Sequence, residues 1–183
     1  MGKKFDEISK SQMKFIEDQK IFFTGTADRK GRVNISPKGM DSLRVLSPNR
    51  VIWLNATGSG NETAAHTQNM PRITIMFVAF EGKPVTMRLY GEAKAIHVND
   101  PEWEELYALL PDNPGARQIF DCSIDLVQTS CGMSNPYYEY KGERDELNKW
   151  ADKKGPEKIK QYWHEKNQHS IDGTKTHIEE KSS

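Results

Sequence analysis

Short segments with strand-like patterns, separated by turn residues, fill the first two-thirds of this chain and limit the folds open to it. The longest, residues 85–97, alternates in a way that suits one strand, with Gly91 as a predicted bulge. Pro37 is predicted to end regular pairing of its strand, because proline has no N–H to donate. Six segments are predicted as strands, namely 21–27, 32–36, 51–54, 72–80, 85–97 and 120–129. Six strands joined by short turns predict a mainly β (α+β) fold, a small antiparallel barrel.

Helices are predicted beside the barrel and after it. Residues 5–20 have apolar side chains at roughly helical spacing, and Asn61 is a favourable N-cap for a helix ending near residue 69. A third helix is predicted to start near Asp100. After Tyr140 the chain becomes more charged, which predicts one or two helices over 144–167, broken near residues 155–156, and then a loose polar end. We therefore expect two regions, a barrel domain over 1–140 and a helical extension over 141–183.

Composition and charge exclude several classes of function. The 183 residues include 26 basic and 26 acidic side chains, so the formal net charge is +0. Such a balance gives no long-range attraction to nucleic acid or to an anionic membrane. No apolar run approaches the roughly 20 residues of a membrane span. Together with only two cysteines, Cys122 and Cys131, this predicts a cytoplasmic protein with reduced thiols.

The residues between 32 and 63 contain the parts of an anion site. Lys38 follows a strand and a proline, and the small-residue loop 58–60 leads to the helix start at Asn61. Unpaired N–H groups and the helix dipole favour an anion there, and Asn61 and Thr63 can add side-chain donors. Glu62 would repel a phosphate, so its carboxylate is predicted to turn outward or to interact with the helix start. The alternatives are a solvated turn lysine and an ordinary capped helix.

Other chemistry-bearing residues give weaker signals. Arg88 lies in the middle of the longest strand and is a candidate site residue, although an arginine there can equally face water or pair with an acid. The five histidines show no metal-ligand spacing with cysteines or carboxylates, so no metal site is predicted. Cys122 is predicted to be a core residue and Cys131 a packed loop residue.

The order of these segments resembles the pyridoxamine 5′-phosphate oxidase-like family of FMN-binding split β-barrels. The resemblance covers roughly residues 15–140. It rests on Ser-Pro-Lys-Gly at 36–39, Leu-Asn-Ala-Thr at 54–57, Gly-Asn-Glu-Thr at 60–63, Asn-Met-Pro-Arg-Ile at 69–73 and Leu-Tyr-Gly-Glu-Ala at 89–93.

The family implies a six-stranded antiparallel split β-barrel, and a homodimer with FMN at the subunit interface. Ser130 and Cys131 could approach the flavin from the partner subunit. The resemblance implies a cofactor site made of Ile35, Ser36, Pro37, Lys38, Asn55, Ala56, Gly60, Asn61, Glu62, Thr63 and Arg88.

The implied activity is that of an FMN-dependent oxidoreductase. Electrons or hydride would pass through flavin N5 to or from a small molecule, with a nicotinamide cofactor as one possible donor. The true oxidases carry two basic residues at the helix start, where this chain has Glu62 and Thr63, so oxidation of vitamin B6 is not expected. Two alternatives stay open: a non-catalytic flavin-, haem- or B6-binding carrier, and an interaction module that uses Trp150 to Trp163 as a partner helix.

Overall fold

Antiparallel strands form the main body of the protein. The computed structural model describes residues 2–182, and over this range eight strands join one sheet. The strands are β1 Lys3–Phe5, β2 Phe22–Thr26, β3 Asn34–Lys38, β4 Leu43–Ser47, β5 Arg50–Ala56, β6 Arg72–Val78, β7 Val85–His97 and β8 Ala116–Cys131. The helices are α1 Lys10–Asp18, α2 Glu62–Asn69, α3 Trp103–Tyr107, α4 Glu146–Lys166 and α5 Ile178–Ser182.

Strand order follows β3-β2-β6-β7-β8-β5-β4, and β1 pairs with β8 outside this path. Every pairing is antiparallel. The mainly β fold with flanking helices and a C-terminal helical extension is confirmed. The strand count is eight instead of the predicted six, because the short strands β1 and β4 carry no alternating pattern and form by pairing with β8 and β5.

The long strand β7 has the predicted bounds, and the bulge falls at its glycine. Its register against β8 shifts between Tyr90 and Gly91. A Cβ atom at Gly91 would lie 1.8 Å from the backbone oxygen of Ser123. Only glycine allows the two backbones to approach this closely.

The structure corrects two local predictions. Pro37 does not end pairing: it lies within β3, opposite Phe23 of β2. This is possible because β3 is an edge strand, where a missing N–H can face away from the ladder. The first helix does not begin at Phe5, which belongs to β1. It begins at Lys10, after Ser9, whose side chain forms a capping box with Gln12.

The core lies between the sheet and its flanking helices. Trp53 of β5 stacks on Phe120 of β8 with ring centroids 4.6 Å apart, and both side chains are fully buried. A second cluster packs α3 against β5, β7 and β8 through Trp103 and Leu106. Within residues 2–182, no helix has both the length and the apolar character needed to cross a membrane.

The extension after residue 140 packs on the barrel, and its end is not loose as predicted. The predicted break in α4 is confirmed at Gly155, whose φ of 71° is not helical. Trp163 is buried and its indole N–H donates to Thr57 Oγ1 at 2.8 Å, so it is not available to a partner helix. Further along, Thr176 and Ile178 are buried as well. Thr176 Oγ1 donates to the backbone oxygen of Asn167, and Ile178 packs with Ala151, Ile159 and Trp163, so contacts within the extension order this end of the chain.

Candidate functional site

A cavity of about 390 Å³ lies where the end of β3, the end of β5 and the start of α2 meet. Nine of the eleven predicted site residues line it: Ser36, Pro37, Lys38, Asn55, Ala56, Gly60, Asn61, Glu62 and Thr63. Hydrogen bonding explains why these segments converge. Antiparallel pairing through β2, β6, β7 and β8 curves the sheet, so that β3 and β5 end beside the same helix.

Lys38 is the predicted cation at this site, and its surroundings are unusual for a lysine. Its Nζ donates to Asn55 Oδ1 at 3.3 Å and lies 5.1 Å from the centre of the Trp53 ring. Burial, and then the positive charge of Arg117, lower the pKa of Lys38 from 10.5 to about 8. The alternative of a solvated turn lysine is therefore wrong.

Arg117 is a second cation in the cavity wall, and it is not among the residues predicted from the sequence. It lies on β8, where the strand was predicted to begin only at Phe120, and its side chain is 2% exposed. Its Nη1 donates to Asn167 Oδ1 at 2.7 Å, while its Nε has no partner. Burial lowers the pKa of Arg117, but a guanidinium starts high enough to stay charged at neutral pH.

Neither cation has an acidic partner among the residues that the structure describes. Two like charges close together without a counter-ion, one buried on Arg117 and one partly buried on Lys38, raise the free energy of the folded state. One sequence signal points to Arg117: Arg117 and Gln118 are polar residues directly before the apolar residues Ile119 and Phe120 of β8. The position of a buried cation beside Lys38 still depends on pairing between β5 and β8.

The start of α2 adds donors without charge. Asn61 occupies the N-cap position, as predicted, but its side chain makes no capping hydrogen bond. It is 2% exposed, and both its Oδ1 and its Nδ2 lack a partner. Thr63 is also buried, and its Oγ1 accepts a hydrogen bond from Asn34 Nδ2 at 3.4 Å. The first N–H groups of the helix and these side chains can therefore serve a bound anion.

The carboxylate of Glu62 should repel a bound anion less than its position at the helix start suggests. Both of its carboxylate oxygens accept the backbone N–H of Ile171 at 3.1 Å, and Glu62 also lines the cavity. That the carboxylate turns outward stays a prediction. The contact also ties the helix start to the C-terminal extension.

A second cavity of about 700 Å³ adjoins the first and shares Pro37, Lys38, Ala56 and Gly58 with it. Its other wall comes from residues 111–113 and from the extension at 143–148. At its edge Met40 and Asp41 adopt left-handed backbone conformations, with φ of 60° and 52°. The two cavities together offer a polar, cationic end and a larger space beside Lys38.

Three predicted residues lie elsewhere. Ile35 is on the outer face of β3 and is 70% exposed. Arg88 is on β7, opposite Gln128 of β8, and does not line the cavity. Cys131, at the end of β8, is exposed, so the prediction of a packed loop residue is wrong. Roles for Arg88 and Cys131 in a site shared between subunits stay predictions. Over residues 2–182, no cluster of three or more His, Cys, Asp or Glu side chains could hold a metal ion.

Known proteins with the same architecture include two solved structures. A single-residue variant of HupZ from Group A Streptococcus aligns with a TM-score of 0.55 and 20% identity, covering 67% of this chain and 99% of that one. A candidate pyridoxamine 5′-phosphate oxidase from Lactobacillus delbrueckii aligns with a TM-score of 0.53 and 18% identity, covering 67% and 94%. At this level of identity the likeness establishes the fold alone.

Sequence comparison identifies the family. The pyridoxamine 5′-phosphate oxidase family protein ustO of Aspergillus flavus is 35% identical over 137 residues, which are 72% of this chain and 55% of that protein. This chain thus spans about half the length of that relative. The family model described as pyridoxamine 5′-phosphate oxidase matches residues 8–131. The chain therefore belongs to the pyridoxamine 5′-phosphate oxidase family.

Proposed function

We propose that this protein binds FMN, with the phosphate in the cavity at the start of α2. The observation that carries the proposal is the pair of cations, Lys38 and Arg117, which line one cavity and form no ion pair with an acidic side chain of residues 2–182. A phosphate monoester carries between one and two negative charges at neutral pH and several acceptor oxygens. It would neutralise both cations and accept hydrogen bonds from Asn61, Thr63 and the helix N–H groups.

The size of the adjoining cavities favours FMN over a smaller phosphate. The phosphate cavity holds about 390 Å³ and the space beside it about 700 Å³. A long ligand with a phosphate at one end and a planar ring system at the other would use both. Lys38 lies at the boundary, where its charge can stabilise negative charge on the ligand, and Asn55 holds its Nζ in place.

The activity we propose is that of an FMN-dependent oxidoreductase acting on a small molecule. Bound FMN supplies transfer of hydride or of single electrons through N5. The protein contributes binding, orientation and positive charge, through Lys38 and Arg117.

A homodimer with FMN at the interface is part of the proposal. Ile35 on edge strand β3 and Val33, just before the strand, are 70% and 69% exposed. They border a groove of about 640 Å³ that also contains Phe23, Met76 and Tyr90. Apolar side chains on an edge strand are typical of a surface that another chain covers. Light scattering should give twice the monomer mass, and a flavin-loaded monomer would contradict an interface site.

Titration of the ligand-free protein tests the proposal. We expect FMN to bind more tightly than riboflavin, which lacks the phosphate, and more tightly than pyridoxal phosphate, which lacks the large ring. Anaerobic addition of NADH or NADPH should then bleach the flavin absorption, and an added acceptor should restore it. Binding without reduction by any donor would favour the flavin carrier, and preference for haem or pyridoxal phosphate would favour the other carriers.

A further inference from the structure

The C-terminal extension reaches the phosphate cavity through Asn167, the residue at the end of α4. Its side chain is 0% exposed. Its Oδ1 accepts a hydrogen bond from Arg117 Nη1 at 2.7 Å, and its Nδ2 donates to the backbone oxygen of Gly58 at 3.1 Å. One amide thus joins the buried cation on β8 to the loop that precedes α2.

Asn167 is itself held rigidly. Its backbone N–H donates to Trp163 at 2.9 Å, and its backbone oxygen accepts from Thr176 Oγ1 at 2.5 Å. Neither side-chain atom can rotate away without leaving a buried partner unsatisfied. The amide therefore fixes the position of the Arg117 guanidinium, because Nη1 donates to no other side chain among the described residues.

The chemical type of the partner matters as much as its position. A carboxylate in the same place would form a buried ion pair with Arg117 and cancel the charge that an anion needs. The neutral amide oxygen orients the guanidinium and leaves its full charge for a ligand.

The rest of the extension supports the same loop. The Trp163 indole donates to Thr57 Oγ1 at the start of the loop, and the backbone N–H of Ile171 donates to Glu62 at its end. Residues 57–62 are therefore held at both ends and in the middle by residues 163–171. Such a loop is preorganised for binding.

We propose that Asn167 is a positioning residue that aims Arg117 at the phosphate of the flavin, and that the C-terminal extension thereby sets the preference for FMN over riboflavin. This inference rests on the proposed function. It assigns a role in the cofactor site to residues 163–171, which lie outside the part of the chain that matches the family, residues 8–131.

The test compares three variants in titrations with FMN and with riboflavin. Asn167→Ala should weaken FMN binding by about tenfold or more, since a hydrogen bond to a charged group is lost. Asn167→Asp is nearly isosteric and keeps the contact with Arg117, although it loses the hydrogen bond to the Gly58 oxygen; it should weaken FMN binding further, because its carboxylate neutralises Arg117 and repels phosphate. Riboflavin affinity should stay within about twofold in both variants. Gln161→Ala, at an exposed position on α4, is the control and should change neither.

The FMN-to-riboflavin affinity ratio is the decisive readout, because a merely structural role would lower both affinities together. Equal losses for the two ligands, or an unchanged ratio in Asn167→Asp, would overturn the role of Asn167 while leaving the proposed function intact. A wild-type protein that binds FMN no better than riboflavin would overturn the phosphate site itself. A steeper loss of FMN binding with salt in the wild type than in Asn167→Asp would further support the charge argument.

Discussion

Replacing Lys38 by methionine should make the ligand-free protein more stable while it removes FMN binding. Methionine keeps the length and the apolar part of the side chain and deletes the charge. In the free protein that charge lies beside Arg117 without an acidic partner, and burial lowers the pKa of Lys38 from 10.5 to about 8. The same charge that we propose for binding phosphate therefore opposes folding.

The size of the effect follows from this pKa. Lowering it from 10.5 to about 8 corresponds to at most about 3 kcal/mol of lost stability at neutral pH. Lys38 is partly exposed, so solvent screening reduces this figure. Methionine also loses the hydrogen bond to Asn55 and the contact with the Trp53 ring, each about 1 kcal/mol. We expect a net gain of at most about 1 kcal/mol, or up to roughly 2–4 °C in Tm for a chain of this size.

The pH dependence of stability shows whether the charge of Lys38 stabilises or destabilises the folded protein. Below about pH 8 lysine is charged in both the folded and the unfolded protein, so the destabilisation is fully present. Between about 8 and 10.5 the folded protein releases its proton first, and the wild type gains stability as pH rises. The advantage of Lys38→Met over the wild type should therefore shrink across this range.

Denaturant unfolding of ligand-free protein at pH 7 and pH 10, at equal protein concentration, measures the prediction. Lys160→Met, at an exposed position on α4, is the matched control and should change stability little at either pH. A Lys38→Met variant that is less stable than the wild type at pH 7, or whose difference from the wild type does not change with pH, would refute the reasoning. Either result would mean that Lys38 is adequately solvated or paired in the free protein.

Two further substitutions test the site and the fold. Lys38→Ala combined with Thr63→Ala should lower FMN affinity by about 100-fold or more, measured by titration, because a cation and a buried donor are lost together; a fully loaded double variant would remove both residues from the site. Gly91→Ala should cost more than about 3 kcal/mol in denaturant unfolding, because its Cβ would meet the backbone of Ser123 at 1.8 Å. Gly58→Ala, where a Cβ meets nothing within 4 Å, should be tolerated, and equal losses in both would contradict the packing argument.

The features that could be predicted from the sequence are those encoded by nearby residues. Strand β7 was predicted with its observed bounds, Val85–His97, because alternation over thirteen residues is a local pattern. The start of α2 and the break at Gly155 were also predicted, from an N-cap residue and from a glycine followed by proline. Nine residues of the cavity could be predicted because the family resemblance implies that β3 and the start of α2 belong to one site.

The features that were missed depend on contacts between distant parts of the chain. Strand β1 has only three residues, two of them lysines, and exists because it pairs with β8. Arg117 gives no sign in the sequence that it is buried beside Lys38. The end of the chain was predicted to be loose from its polar composition. Asn167 is nevertheless buried, because its side chain hydrogen-bonds to Arg117 and Gly58, which lie 50 and 109 residues away in the sequence. Composition describes a segment and cannot report on partners elsewhere.

The polar groups that the free protein leaves without partners are the physical basis for assigning a ligand to this cavity. Folding normally satisfies buried polar atoms, and each exception costs about 1–3 kcal/mol. Asn61 contributes two such atoms and Arg117 a third, in the same cavity where Lys38 lacks an acidic partner. The core around Trp53 and the contacts of the extension offset these costs in the folded protein. A phosphate dianion can accept a hydrogen bond from Asn61 Nδ2 and balance the charges of Lys38 and Arg117, so part of this free energy is recovered as affinity, and stability should rise when the ligand is added.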